Sequence, residues 1–164
     1  MPGGAASNTT KPNIIWKRTP SPVHITATLE KAFEKMKAAA DKRNEELGVL
    51  LVDLDNFNYG HIKGDKVLRD VSGLLKRITK KDYLIARWGG DEFIILAPNA
   101  AKEEQQHFIR TFQTKLENNK PVDLSSFGAS IGNAVYPENG YTFNELIQHA
   151  DREMYRRKGE VPSV

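Results

Sequence analysis

Apolar positions recur at three- and four-residue intervals along four stretches of this chain and close into short continuous runs along four others. The first spacing is that of one helix face, and the second is that of strands. Leu29, Phe33, Met36 and Ala40 predict a helix from about Thr26 to Glu46. Val67, Leu68, Val71, Leu74, Leu75 and Ile78 predict a second, with Gly64 and Asp65 at its start. Phe108, Phe112 and Leu116 mark a third, from Ala101 to Asn118. The last carries Phe143, Leu146, Ile147, Ala150 and Met154 and opens on Thr142-Phe143-Asn144-Glu145, a capping-box pattern. It leaves Arg152, Arg156, Arg157 and Lys158 on or near the opposite side, with Arg156 and Arg157 read as solvated surface charges. Core packing accounts for all four stripes.

The run Gly48-Val49-Leu50-Leu51-Val52-Asp53-Leu54-Asp55 has strand length and ends abruptly in carboxylates, so a buried strand delivers acids to its exposed end. Tyr83 to Trp88 and Phe93 to Pro98 read as strands joined by Gly89-Gly90-Asp91-Glu92, where a Gly-Gly pair supplies the positive φ of a hairpin turn. A further strand runs through Phe127 to Tyr136, after a break at Asn118-Asn119-Lys120-Pro121. The order helix, strand, helix, hairpin, helix, strand, helix predicts an α/β chain of α+β type, with a mostly antiparallel central sheet flanked by helices. Residues 1–22, rich in Gly, Ala, Ser, Thr, Asn and Pro, read as a flexible arm whose only apolar anchors are Ile14, Ile15 and Trp16. Residues 23–164 form one domain.

Composition narrows the function classes. At 164 residues the chain suits a single domain, and no apolar run is long enough to span a bilayer. The absence of cysteine removes disulfides and thiolate metal sites. With no secretory signal at the N-terminus, a reducing cytoplasm is the natural assignment. The net charge of +3 suits anionic ligands, but the basic residues are scattered among acids, so nothing demands nucleic acid.

Asp53 and Asp55 at a strand end, and Asp91 and Glu92 in a tight hairpin, are the candidates for chemistry. If their strands are neighbours, the acids converge. Converging carboxylates repel unless a hard cation lies between them, and Mg²⁺ is typically held by carboxylates together with substrate phosphates. Two such ions lower the pKa of a ribose 3′ hydroxyl and neutralise charge growing on an α-phosphate, which is nucleotidyl transfer with pyrophosphate leaving. The competing reading is that these acids cap helices or sit solvated in turns.

Arg87-Trp88-Gly89-Gly90-Asp91-Glu92-Phe93 resembles the signature hairpin of the GGDEF family of diguanylate cyclases. It is accompanied in order by Asp53-Leu54-Asp55-Asn56-Phe57, Tyr59-Gly60-His61-Ile62-Lys63-Gly64-Asp65, Ser130-Ile131-Gly132 and the stretch from Ala150 to Lys158. The resemblance covers roughly Thr26 to Lys158 and implies a palm-like nucleotidyl-cyclase fold. It implies that Asp53, Asp91, Glu92 and the Leu54 carbonyl hold Mg²⁺ or Mn²⁺, with Glu92 also assisting deprotonation of the attacking hydroxyl. Gly89 and Gly90 would let the backbone approach the nucleotide without a Cβ clash. Asp65 resembles the acid that hydrogen-bonds the guanine edge, although a helix cap explains it equally well. Lys158 resembles a lysine that meets the triphosphate.

The chain departs from the family pattern in several places. Phe57-Asn58-Tyr59-Gly60 is shorter than the corresponding segment of relatives by more than one helical turn, which leaves Asn58 as the candidate to share guanine reading with Asp65. Pro22-Val23-His24-Ile25-Thr26-Ala27-Thr28 replaces the family's Asp-x-Leu-Thr-Gly-Leu stretch. Lys80-Lys81-Asp82-Tyr83 does not supply the Arg-x-x-Asp motif of an inhibitory product site, so none is expected. The terminal Gly159-Glu160-Val161 lacks a phosphate-contacting arginine.

The leading expectation is a cyclase joining two GTP into cyclic di-GMP as a homodimer, since a two-fold product needs two half-sites. The alternative is a degenerate module that binds GTP or a cyclic dinucleotide and signals through a regulatory domain or protein partner. A small interaction or nucleic-acid-binding domain with merely structural acids comes third.

Overall fold

The apolar run starting at Leu47 forms an interior strand of a five-stranded sheet. The computed structural model describes residues 13–15, 22–55, 60–119 and 127–160. The elements in order are β1 (Asn13–Ile15), α1 (Pro22–Arg43), β2 (Leu47–Asp55), α2 (Gly60–Ile78), β3 (Leu84–Arg87), β4 (Glu92–Pro98), α3 (Lys102–Asn119), β5 (Gly128–Tyr136) and α4 (Phe143–Glu160). The strand order is β1-β3-β4-β2-β5. β2 pairs antiparallel with β4 and β5, and β3 pairs antiparallel with β4, as the element order predicts.

Within the segment expected to be a flexible arm, Asn13–Ile15 instead lies parallel to β3, with Ile14 opposite Ile85. β-Branched residues suit a strand, and the pairing covers an edge that β3 would otherwise present. Pro22 opens α1, a position where its missing N–H costs no hydrogen bond. The rest of the expected arm lies outside the described residues.

Both faces of the sheet are covered, which explains why β2 is apolar at successive positions. Leu50, Val52, Leu54, Phe93, Ile95 and Ile131 face Val71, Leu75, Phe108 and Phe112 of α2 and α3. Leu47, Val49, Leu51, Ile94, Leu96 and Ala134 face Leu29 and Phe33 of α1 and Leu146, Ala150 and Met154 of α4. Phe33, Phe93 and Phe112 are fully buried, each contributing roughly 2–3 kcal/mol of transfer free energy. The period-two alternation has a functional consequence. Asp53 and Asp55 continue the parity of Leu47, Val49 and Leu51, so they emerge on the α1/α4 side.

Local chemistry sets the helix ends. α1 stops at Arg43, short of the expected Glu46, because Asn44 takes φ 52° and the Glu45 N–H donates to the Ala40 carbonyl at 2.9 Å. That is a left-handed cap closing the last turn. The capping box at α4 forms as predicted: the Glu145 N–H donates to Thr142 Oγ1 at 3.1 Å, while the Thr142 N–H donates to Glu145 Oε2 at 3.2 Å. α4 then packs unusually close to β5 at Gly132, where a Cβ would lie 1.8 Å from the Ala150 carbonyl oxygen. Among the described residues, no helix is long and apolar enough to cross a membrane.

Candidate active site

Antiparallel pairing of β2 with β4 puts Asp53 opposite Glu92, and pairing with β5 puts it opposite Ser130. The Leu54 N–H donates to the Asp91 carbonyl at 2.9 Å, tying the hairpin turn to the end of β2. Two strand ends and one turn therefore meet. Asp53, Asp91 and Glu92 each offer a carboxylate oxygen, and these lie within 4.8 Å of one another in a half-buried setting. The Leu54 side chain is buried below them.

The hairpin is held from within. Arg87 Nε donates to the Gly89 carbonyl at 3.1 Å and Nη2 to the Gly90 carbonyl at 2.8 Å, while the Trp88 N–H donates to the Glu92 carbonyl at 2.8 Å. One expectation is corrected: neither Gly89 nor Gly90 adopts positive φ, since Gly140 alone among the described glycines does. The Arg87 guanidinium fixes the turn carbonyls in another conformation. Packing does not require the glycines either, because a Cβ on Gly90 would meet nothing within 4 Å and one on Gly89 only the Glu92 side chain, at 3.5 Å. Close approach from outside the chain remains as a physical reason for their small size.

Charge is unbalanced here. Burial, reinforced by Asp53, Asp91 and Asp151, raises the Glu92 carboxyl above the usual carboxylate range, with Lys158 partly opposing them. Lys158 Nζ donates to Asp53 Oδ2 at 2.9 Å and lies 3.5 Å from Asp55 Oδ1. Partial burial pulls the ammonium down, but the hydrogen bond and charge of Asp53, with Asp55, leave its pKa raised on balance. Ser130 Oγ donates to Asp55 Oδ2 at 2.7 Å. A cluster of oxygen donors whose mutual repulsion a single ammonium offsets only in part fits a hard divalent cation.

The other expected residues fall in different places. Asp65 is exposed and lies within α2, which begins at Gly60, so the reading of Asp65 as a helix cap is corrected: the helix extends through the Gly60-to-Gly64 stretch before it. It lines a groove of 340 Å³ with Leu68, Arg69, Ser72, Lys76 and Arg87, and is not part of the carboxylate cluster. Arg87 connects this groove to the hairpin glycines. Asn58 lies outside the described residues. Arg156 is exposed and pairs with Glu153 at 2.6 Å, as a surface charge would.

Arg157 corrects the sequence reading. It is half-buried, with Nη1 donating to the Ile131 carbonyl at 2.8 Å and Nη2 to Asn133 Oδ1 at 2.9 Å. Arg157 and Lys158 follow Met154 by three and four residues, so the regular helix carries both onto the face that meets the sheet, whereas the sequence reading set them on or near the opposite side. Sequence reasoning also passed over Asp151, whose charge reaches Glu92, and Ser130 as a partner of Asp55. For Asp55, strand parity with Asp53 was an available signal. For Arg157 the signal was its place three residues after Met154, on the buried face of the helix.

Residues 24–161 match the family described as "Diguanylate cyclase, GGDEF domain". The chain is 37% identical over 122 residues to the cyclic di-GMP phosphodiesterase PdeR of Escherichia coli, covering 70% of this chain and 18% of PdeR. It is 31% identical over 121 residues to the diguanylate cyclase DgcM of the same species, covering 71% of this chain and 29% of DgcM. It thus spans less than a third of either relative. The solved GGDEF domain of TpbB (YfiN) from Pseudomonas aeruginosa matches with a TM-score of 0.74 at 29% identity, covering 82% of this chain and 84% of that one. By its order of strand acids and hairpin, its sheet and these likenesses, the chain belongs to the GGDEF domain family of diguanylate cyclases.

Proposed function

We propose that this domain is a nucleotidyl transferase that condenses two GTP into cyclic di-GMP, working as a homodimer. The observation that carries the proposal is the convergence of Asp53, Asp91 and Glu92 within 4.8 Å at the open end of the sheet. Those carboxylates, with the Leu54 carbonyl, would hold Mg²⁺ or Mn²⁺. When bound, such cations supply acidity at the ribose 3′ hydroxyl and neutralise charge at the α-phosphate. In each of the two condensations the 3′ oxygen of one GTP bonds to the α-phosphorus of the other. The α–β anhydride bond breaks, and pyrophosphate leaves.

The protein's own groups have separable tasks. Glu92, beside Asp53 and Asp91, helps to hold the cation or takes the 3′ hydroxyl proton. Gly89 and Gly90 leave the hairpin backbone open to the nucleotide. Lys158 exchanges its carboxylate partners for the triphosphate. Asp65, in the groove that reaches Arg87, accepts from the guanine edge, with Asn58 as its companion. Product feedback at the position of the family's inhibitory site should be weak or absent. Lys80 there pairs with Glu104, and Tyr83 stands buried where an acid would be needed.

A second reading is a receptor that binds GTP or a cyclic dinucleotide without turnover and reports to a regulatory domain or protein partner. It is favoured by the Lys158 ammonium already bound on Asp53, and by the phosphodiesterase PdeR among the relatives. Incubating the protein with Mg²⁺ or Mn²⁺ and GTP, ATP or both, with products resolved by chromatography, separates the readings. Cyclic di-GMP from GTP alone, lost in Asp91→Ala, supports the cyclase. An adenine-containing product keeps the chemistry and overturns the base assignment. No product, with nucleotide still bound, favours the receptor.

A further inference from the structure

We propose that Arg157 is a positioning residue that fixes Lys158 against the acidic end of β2, acting through a buried side-chain network on β5. The role in turnover rests on the cyclase reading. The positioning itself does not.

The argument begins with what holds the end of α4. Its buried apolar stripe finishes at Met154, and the next two residues, Tyr155 and Arg156, are exposed. A terminal helical turn with no apolar anchor frays. A lysine at its end would also carry about 2 kcal/mol of rotamer entropy against settling at one site. Arg157 supplies the missing anchor. Its forked guanidinium spans two acceptors on β5, the Ile131 carbonyl and Asn133 Oδ1. β5 is an edge strand among the described residues, so acceptors on its outer side are open to side chains.

The acceptor side is rigid. Asn133 is buried, and its Nδ2 donates to Gln105 Oε1 at 3.0 Å, which fixes the orientation of its amide and points Oδ1 at Arg157. Gln105 is buried in turn and donates from Nε2 to the Ala100 carbonyl at 2.8 Å. No buried side-chain polar atom among the described residues lacks a hydrogen-bond partner, and a fully satisfied network of this kind specifies one arrangement. Between Ile131 and Asn133 lies Gly132, against which the α4 backbone is already pressed. The guanidinium therefore locks a helix end that sits directly on the strand. The next residue, Lys158, then reaches Asp53 and Asp55. A lysine at 157 cannot reproduce the lock, because a point charge does not span two acceptors as a planar fork does.

The test is a double-mutant cycle in Arg157→Met, Lys158→Met and the double variant, with Arg157→Lys as the second substitution. GTP turnover and the Lys158 side-chain NMR resonance are both read, the resonance being assigned by its loss in Lys158→Met. Lys158→Met should lower kcat/KM by about a hundredfold and Arg157→Met by about tenfold. The double variant should be no worse than Lys158→Met within about a factor of two, because both remove one function. Arg157→Met should also shift the Lys158 resonance toward that of a solvated lysine, with Arg157→Lys intermediate.

Losses that multiply, or a Lys158 resonance unmoved in a folded Arg157 variant, overturn the proposal. If Arg157→Met fails to fold, Arg157→Lys carries the same comparison. If the wild-type protein makes no cyclic di-GMP, the cyclase reading falls and the resonance alone decides the positioning role.

Discussion

Glu92 carries its negative charge in a place that resists it. Burial, with Asp53, Asp91 and Asp151 nearby, raises its carboxyl pKa. A carboxyl raised in the folded state contributes stability that is present in acid and is lost as pH rises through the folded pKa. In metal-free protein at neutral pH, Glu92→Gln should therefore stabilise the fold. The gain should stay below about 1 kcal/mol, since the group still touches water, and should vanish as pH falls through the carboxylate range. Denaturant melts of both proteins from pH 7 to pH 4 measure it. Added Mn²⁺ should reverse the order, raising the wild-type melting temperature more than that of the variant. At this scale the site was largely legible: Asp53, Asp91 and Glu92 are polar residues breaking into apolar strand patterns, and such breaks are visible without coordinates. Arg157 was legible only in part: its spacing from Met154 places it on the buried face of α4, but nothing in the sequence names its partners on β5.

The helices were readable from their stripes, but their closeness to the sheet was not. Gly132 sits in a strand pattern where glycine signals only a close approach of unknown origin. The origin is α4, whose Ala150 carbonyl oxygen and Met154 nitrogen would lie 1.8 Å and 2.9 Å from an added Cβ. Both are backbone atoms, so neither can swing aside. Gly132→Ala should destabilise the fold by about 3 kcal/mol, measured by urea denaturation, and should lower GTP turnover further by lifting Lys158 away from Asp53. At the other end of α4, Thr142→Ala should cost about 1 kcal/mol through loss of the cap to the Glu145 N–H. The partner carboxylate is held below its usual range by the Tyr141 and Thr142 backbone N–H groups. Its contribution is thus present above the ordinary carboxylate range and lost as pH falls through the depressed value. Amide protection factors at the start of α4, corrected for the intrinsic exchange rate at each pH, should fall over that acid window in the wild type, and less in Glu145→Gln. Boundaries were the least legible feature: α1 ends on the left-handed Asn44 and α2 starts at Gly60, and neither follows from the apolar spacing.

At the scale of the whole molecule, a mostly antiparallel sheet with helices on both faces followed from the element order, while the parallel β1 did not, because three residues carry too little periodicity to register. The sheet gathers its acids at one end, and one cluster able to hold a metal is present among the described residues. Cyclic di-GMP contains two equivalent phosphodiester links, each needing a 3′ hydroxyl from one nucleotide at the α-phosphate of the other. If one cluster holds one nucleotide, two copies of the domain must face each other for either link to form. The rate law exposes this requirement. Well below the dimer dissociation constant, product should form with the square of protein concentration, so doubling the protein should double the specific rate before a plateau is reached. Adding excess Asp91→Ala to a fixed amount of wild type should then lower the yield, as mixed pairs replace competent ones. A specific rate that stays flat down to nanomolar protein, together with no inhibition by the variant, would show that one copy completes the reaction and would overturn the facing-pair account.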